Sequence, residues 1–146
     1  MSEETTLRAF LAVEPPATVR GEIAAIQERL KKTVRGVIRW VRPAGIHLTL
    51  KFFGNILPPA VDRISGAVAA QTVGVAPFDL TVRTVGVFPD LNRPRVVWLG
   101  MAGEVERLLV LQTSLEREFE ALGFPREERP FRAHLTLGRS KTPKGL

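Results

Sequence analysis

Apolar residues recur along the chain with two periods, one typical of strands and one typical of helices. Residues 7–13 form an apolar run that stops at two prolines, which is typical of a buried strand because proline cannot donate a ladder hydrogen bond. From Pro16 the apolar positions recur every three or four residues as far as Leu30, and two lysines follow. This pattern predicts an amphipathic helix with basic residues at its C-terminus.

The next segment predicts two strands and a second helix. Residues 37–41 and 46–53 are rich in β-branched and aromatic residues, and a turn with proline and glycine separates them. Gly54 is expected to end the second strand. A weaker apolar stripe over residues 58–71 predicts a helix whose middle is weakened by a glycine.

The second half of the chain predicts a hairpin, a long helix and a final strand. Residues 78–83 alternate between apolar and polar side chains, and residues 96–99 are their expected partner across a proline-containing turn. Residues 104–122 carry the clearest apolar stripe of the chain, with acidic residues at the start and a glycine after the end. The last strand is expected over residues 131–138.

The tetrapeptide His-Leu-Thr-Leu occurs twice, at residues 47–50 and 134–137, and it contains both histidines of the chain. A given histidine is followed by Leu-Thr-Leu by chance on the order of once in a thousand. Both copies lie on predicted strands. The repeat therefore indicates an internal duplication whose two copies carry the same chemistry.

The order of elements predicts an α+β fold made of two duplicated lobes. Each lobe is expected to have mainly antiparallel sheet, helices packed outside and one copy of the tetrapeptide, with a central cleft between the lobes. No linker-like stretch divides the sequence, so residues 1–146 are interpreted as a single domain of two pseudo-symmetric lobes. Residues 140–146 are expected to form a frayed tail.

Composition narrows the possible chemistry and the possible partners. The chain has no cysteine, which excludes thiol nucleophiles, Cys-ligated zinc and iron-sulfur clusters. A net charge of +6 favours an anionic partner such as nucleic acid, although a basic surface without a specific partner is the alternative. The acidic start differs from a signal peptide and no apolar run reaches membrane-spanning length, so we expect a soluble, cytoplasmic protein that does not bind a membrane. We also expect a monomer.

The two copies of the tetrapeptide have the groups that phosphodiester cleavage needs. Strand alternation puts His47 and Thr49 on one face and the leucines on the other, and the same holds for His134 and Thr136. Imidazole has an unperturbed pKa near 6.5, so one histidine can act as a base while another acts as an acid. Threonine hydroxyls can donate hydrogen bonds to the charged phosphate oxygens.

Two other interpretations of the histidines are possible. A single histidine on a strand is usually structural, but the repeated pair makes catalysis the preferred hypothesis. A shared metal ion is the second alternative. Two histidines with no nearby carboxylate or third histidine provide fewer ligands than a zinc site usually has. A metal site is therefore the less favoured interpretation.

With their flanking residues, the motifs resemble the 2H phosphoesterase superfamily, named for two His-x-Thr/Ser-x motifs. The closer resemblance is to the bacterial and archaeal RNA 2',3'-cyclic phosphodiesterases, also called 2'-5' RNA ligases. The likeness runs from Leu7 to Lys141 and includes residues 8–13, 37–43, 47–54, 86–89, 93–99 and 130–139. Two motifs with these flanks form a specific signature, whereas one motif alone does not.

The resemblance implies an enzyme with no metal and no obligatory cofactor, which opens a terminal 2',3'-cyclic phosphate of RNA to a 2'-phosphate. It makes His47 the general acid to the departing 3'-oxygen and His134 the general base to water, although near-symmetric motifs could exchange these roles. Thr49 and Thr136 would hold the phosphate. Arg139 matches a family arginine close to the phosphate.

Four further residues are candidates for substrate binding. Phe10, Trp40 and Phe53 could offer a stacking surface to the terminal base, although aromatic residues on short apolar strands are more often part of the core. Arg132 could bind phosphate, with a solvated charge at the start of a strand as the alternative. Only the tertiary structure can show whether these four side chains face the substrate.

Three functions compete with hydrolysis of RNA ends. The same groups working in reverse would join a cyclic end to a 5'-hydroxyl, which would give a 2'-5' bond. A non-catalytic module that binds RNA or nucleotides would also explain the positive charge. A phosphodiesterase for small cyclic nucleotides or ADP-ribose-type substrates is the third possibility, and a substrate panel would separate it.

Overall fold

The computed structural model describes residues 5–34, 36–89 and 94–141. Within these ranges the chain has both strands and helices, which confirms the α+β class. In chain order they are β1 (Leu7–Val13), α1 (Ala17–Lys31), β2 (Ile38–Trp40), a 3-10 helix (Pro43–Gly45), β3 (Leu48–Ile56), α2 (Pro58–Thr72), β4 (Leu80–Phe88), β5 (Val96–Gly103), α3 (Val105–Ala121) and β6 (His134–Ser140). The helices in this part of the chain lack the length and apolar character for crossing a membrane.

Several predicted strand ends differ from the structure, and β4 and β5 extend further than expected, to Phe88 and Gly103. Strand β3 does not stop at Gly54 but continues to Ile56. Gly54 takes a backbone φ of 71° within the strand, a value that other residues rarely adopt. Strand β6 begins at His134 and extends to Ser140, so part of the expected tail is ordered strand. The end of the predicted tail, residues 142–146, lies outside the described residues.

The described residues divide into two compact units, and each unit draws on three separate segments of the chain. The first unit comprises residues from 1–12, 49–80 and 103–132, and the second comprises residues from 13–48, 81–102 and 133–146. The first motif is divided between them, with His47 in the second unit and Thr49 in the first. The pseudo-symmetry of the two lobes stays a prediction.

The first unit packs helices α2 and α3 together with β1 and β3. Leu108, Leu115 and Phe119 of α3 are buried, as the predicted apolar stripe requires. Gln112 lies on the same buried stripe, and its side-chain amide donates a 3.2 Å hydrogen bond to the carbonyl oxygen of Leu50. The amide can be buried here because its N–H group has a hydrogen-bond acceptor on β3.

A charged pair is also buried in the first unit. The Lys51 ammonium lies 2.5 Å from a carboxylate oxygen of Glu116 and donates a second hydrogen bond to the carbonyl oxygen of Pro125. The side chains of Lys51 and Glu116 are only 3% and 10% exposed. Burial of both charges is possible because each one has its partner within hydrogen-bonding distance.

The second unit contains α1, β2 and β6, together with most of β4 and β5. Its core is formed by apolar residues of α1, the 3-10 helix end and the strands: Ile23, Ile46, Leu48, Val97, Leu99, Leu135 and Leu137. Gln27 of α1 is buried and donates hydrogen bonds to the carbonyl oxygens of Val41 and Leu137. This amide links α1 to the residue that follows β2 and to the middle of β6.

Strand pairing in the second unit centres on β6. On one edge β6 pairs antiparallel with β5, which is itself next to β4, and on the other edge it pairs with β2 and with the start of β3. Strand β3 then continues into the first unit, where its neighbour is β1. The antiparallel pairing of β6 is as expected, but the described strands form one six-stranded sheet and not the two sheets that were expected.

Glu104, directly before α3, gives a pH-dependent contribution to stability. Its carboxylate accepts a 2.6 Å hydrogen bond from the backbone N–H of Asp79, which together with Arg107 holds the pKa of Glu104 below its usual value. A lowered pKa stabilises the fold above the pKa of the unfolded chain, and this contribution is lost as the pH falls through the folded pKa. We expect Glu104→Gln to be less stable than the parent protein at pH 7 and the difference to disappear in acid.

Urea unfolding of both proteins between pH 3 and pH 7 would check this expectation. Glu106→Gln is the matched control, because Glu106 lies in the same helical turn but does not accept the hydrogen bond from Asp79. The stability change of Glu106→Gln measures only the loss of a negative charge near the helix N-terminus. A stability difference for Glu104→Gln that stays constant with pH would contradict the assignment.

Candidate active site

Burial along both motifs follows the alternation expected of a strand. Ile46, Leu48 and Leu50 are buried, whereas His47 and Thr49 between them are partly exposed. The backbone therefore points His47 and Thr49 to one side and the apolar residues to the other. The first motif has the predicted distribution of side chains.

The second motif has the same distribution. Leu135 and Leu137 are buried, His134 is exposed and Thr136 is partly exposed. The two leucines contribute to the core of the second unit. Each copy of the tetrapeptide thus uses its leucines for packing and leaves the imidazole and the hydroxyl for a second face.

The register between β3 and β6 brings the two motifs together. Leu48 pairs with Leu135, so both leucines point to the same face and the polar residues flanking each leucine point to the other. His47 directly precedes β3, and a regular continuation of this register by one residue would place it opposite Thr136. In such a regular antiparallel pair the two histidines would be diagonal neighbours, with Cα atoms about 7 to 8 Å apart.

A β-bulge in β6 decides where Arg139 points. Val97 of β5 pairs with Gly138, but the next residue, Trp98, pairs with Thr136, so Leu137 is the extra residue of the bulge. Simple alternation from Thr136 would put Arg139 on the opposite face. The bulge reverses this. Arg139, Thr136 and His134 pair with alternate residues of β5, namely Val96, Trp98 and Gly100, and therefore lie on one face of the sheet.

Trp98 is an aromatic side chain on this face that sequence patterns did not single out. It is the cross-strand partner of Thr136, and its indole lies directly over Gly86 of β4, where a Cβ atom would overlap the ring. A glycine at position 86 is needed for this close approach. The tryptophan could not be distinguished from a core residue in the sequence, because its neighbours Val97 and Leu99 are core residues.

Trp40 does not lie with the imidazoles. It pairs with Gly138, which shares its face with the buried Val97, and it lines a cavity of about 340 Å³ together with residues of α1, including Gln27. Trp40 is therefore on the helix side of the sheet. Its side chain is half-buried there.

The two candidate phenylalanines belong to the first unit. Phe53 makes edge-to-face contacts with Phe119 and Phe124 at centroid distances of 4.9 Å and 5.1 Å, which places it in an aromatic cluster. Phe10 is half exposed and lies 6.1 Å from the ring of Phe52. Phe10 and Phe53 also line an apolar groove of about 390 Å³ against α2.

Arg132 is exposed and lies two residues before β6 begins. The strand register therefore does not determine the direction of its side chain. In the described part of the chain, no group of three or more His, Cys, Asp or Glu side chains is arranged to hold a metal ion.

Comparison with known proteins assigns the chain to a family. A family model described as LigT-like phosphoesterase matches residues 13–98 and 99–145. The chain belongs to the LigT-like phosphoesterase family. The matched residues include both motifs, and the resemblance to the 2H phosphoesterases is thereby confirmed.

Relatives of this LigT-like phosphoesterase include curated proteins from archaea. An RNA 2',3'-cyclic phosphodiesterase of Methanothermobacter thermautotrophicus is 41% identical over 138 residues, which cover 94% of this chain and 73% of the relative. The protein of the same name from Archaeoglobus fulgidus is 36% identical and covers 92% of this chain and 73% of the relative.

Solved structures show the same fold. The protein TT0787 of Thermus thermophilus superimposes with a TM-score of 0.81 at 30% identity, covering 94% of this chain and 76% of that one. Escherichia coli LigT in complex with 3'-AMP superimposes with a TM-score of 0.71 at 29% identity, with the same coverage of both chains. The α+β architecture of this LigT-like phosphoesterase is therefore that of its family.

Proposed function

We propose that this protein hydrolyses the 2',3'-cyclic phosphate at RNA ends to a 2'-phosphate by two-histidine acid-base catalysis. The observation that carries the proposal is the pairing of Leu48 with Leu135, which orients the polar residues of both motifs toward one face. The curated relatives named RNA 2',3'-cyclic phosphodiesterase support the choice of reaction. The net charge of +6 supports an anionic substrate.

The reaction requires one proton to be removed and one to be supplied. His134 takes the proton from a water molecule as its oxygen forms a bond to phosphorus, and His47 gives a proton to the 3'-oxygen as the bond from that oxygen to phosphorus breaks. The products are a 2'-phosphate and a 3'-hydroxyl. The separation of diagonal strand neighbours leaves room for one phosphate group between the imidazoles.

Positive charge and hydroxyl donors stabilise the phosphate during this step. The Thr136 hydroxyl donates to a non-bridging oxygen, and the family resemblance assigns Thr49 the same role. Arg139 contributes a guanidinium whose planar fork suits phosphate oxygens. By microscopic reversibility, the same groups can join a cyclic end to a 5'-hydroxyl and form a 2'-5' bond.

The cellular setting is part of the proposal. The protein acts as a monomer in the cytoplasm on the ends of RNA during processing. All groups assigned to proton transfer come from one chain, so the reaction does not require a second copy.

Incubation of the purified protein with an oligonucleotide that ends in a 2',3'-cyclic phosphate tests this function. We expect a 2'-phosphate product, resolved from the 3'-phosphate isomer by chromatography, and an unchanged rate in EDTA. Loss of activity in EDTA would contradict the metal-independent mechanism. Tight binding of the oligonucleotide without turnover would instead favour the non-catalytic binding module.

A further inference from the structure

Arg39 of β2 and Arg139 of β6 are directly opposite each other in the sheet. The backbone N–H of Val41 donates to the carbonyl of Leu137, and that of Lys141 donates to Val37, on either side of the pair. These bonds make Arg39 and Arg139 a hydrogen-bonded pair of an antiparallel ladder, with Cα atoms about 5.5 Å apart. Their side chains start from adjacent positions on one face.

This face is the one that carries the second motif. Arg139 pairs on its other side with Val96, two residues before Trp98, the partner of Thr136. Because opposite residues share a face, Arg39 lies on it too. The spacing of two strand residues puts the arginine pair about 7 Å from Thr136 along the sheet.

The two charges have no compensating carboxylate among the described residues. Arg39 and Arg139 are both exposed, and no Asp or Glu of the described residues forms an ion pair with either guanidinium. Like charges directly opposite each other on paired strands are destabilising. An anion between the two guanidiniums would remove this repulsion and accept charge-assisted hydrogen bonds from both.

Close packing fixes the position of Arg39. A Cβ atom at Gly138 would lie 2.7 Å from Cγ2 of Ile38 and 3.2 Å from the carbonyl oxygen of Arg39, so β2 and β6 approach each other closely at this point. Strand β2, which carries Arg39, is therefore packed closely against β6.

We propose that Arg39 and Arg139 together bind a second phosphate of the substrate, the phosphodiester that precedes the terminal nucleotide. This inference rests on the proposed function. Arg139 is on the same strand as Thr136 and contacts both phosphates, whereas Arg39 on β2 is displaced from the reacting cyclic phosphate. Single-stranded RNA offers a further anion one nucleotide away. Arg39 is then a residue that selects oligonucleotides over mononucleotides.

Steady-state kinetics with two substrates test the proposal. A dinucleotide ending in a 2',3'-cyclic phosphate has the internal phosphodiester, and adenosine 2',3'-cyclic monophosphate lacks it. We expect Arg39→Gln to lower kcat/KM for the dinucleotide by about ten-fold, the size of one lost charge-assisted hydrogen bond in a partly solvated site. The value for the mononucleotide should stay within about two-fold.

A chemical change in the substrate completes the comparison. A dinucleotide with a neutral methylphosphonate in place of the internal phosphodiester should react alike with the parent protein and with Arg39→Gln.

Arg83→Gln is the matched control, because Arg83 is an exposed arginine on β4. The neighbouring Thr84 has its hydroxyl close to Gly100, on the face of the sheet that carries Trp98. Strand alternation points Arg83 to the other face, and its replacement should change neither rate.

Two results would overturn the second-phosphate site: an equal loss with both substrates, which would assign Arg39 to the cyclic phosphate, or no loss with either. If the parent protein turns over neither substrate, the proposed function itself fails. Calorimetric titration of a dinucleotide bearing a terminal 2'-phosphate then still decides the site. Arg39→Gln must weaken binding of the phosphodiester form and leave that of the methylphosphonate form unchanged, and any other result overturns the site.

Discussion

His134→Ala is expected to lower kcat for opening of the cyclic phosphate by roughly 10² to 10⁴-fold, the contribution typical of a general acid or base. The imidazole is on the exposed side of β6 while Leu135 beside it holds the strand in the core, so the fold should survive the change. The same loss is expected for His47→Ala. Single-turnover kinetics would separate this loss in the chemical step from weaker binding.

A sulfur leaving atom would distinguish the two histidines. A thiolate leaves without protonation, so a cyclic substrate with sulfur in place of the 3'-oxygen needs no general acid. This substrate should restore most of the rate in His47→Ala and little of it in His134→Ala. Rescue of the opposite variant would exchange the roles, and full activity of either variant with the ordinary substrate would refute two-histidine catalysis.

Glu116→Ala is expected to reduce the free energy of unfolding by about 3 to 5 kcal/mol, the usual cost of removing one partner from a buried ion pair. The Lys51 ammonium would remain buried with the carbonyl oxygen of Pro125 as its remaining hydrogen-bond acceptor among the contacts described above. Urea denaturation followed by circular dichroism would measure the change.

A surface ion pair in the same helix supplies the control. Glu120 of α3 lies 3.5 Å from Arg126, and both side chains are about half exposed. Glu120→Ala should therefore cost no more than about 1 kcal/mol. Replacing both buried partners, with Lys51→Met and Glu116→Leu, should recover part of the stability lost in Glu116→Ala, because no unpaired charge remains. Equal costs at Glu116 and Glu120 would contradict a stabilising role for the buried pair.

Helix α3 shows how far periodicity alone could predict the fold. Its stripe through Leu108, Leu115 and Phe119 is buried as expected, because helix period and helix burial are both local properties of the chain. The buried polar residues were outside the reach of this pattern. Gln27 and Lys51 look like surface residues in the sequence, and only their hydrogen-bond partners on distant segments make their burial possible.

The aromatic candidates show the same limit. Trp40 and Trp98 both lie on short apolar strands, and the sequence offers no sign of which one shares a face with Thr136. The pairing with β6 and the close approach to Gly86 resolve the question in favour of Trp98. A strand has two faces, and the choice between them depends on the register with its neighbours.

The repeated His-Leu-Thr-Leu was sufficient to identify the chemical groups and the face that each would occupy within its own strand, because alternation is a property of the backbone. Proximity of the motifs required the register between β3 and β6, two strands far apart in the chain. The common face of Arg139 and Thr136 required the bulge at Leu137, and the position of Arg39 required the pairing of β2 with β6. Register and bulges follow from long-range packing and hydrogen bonding, which local sequence patterns do not encode.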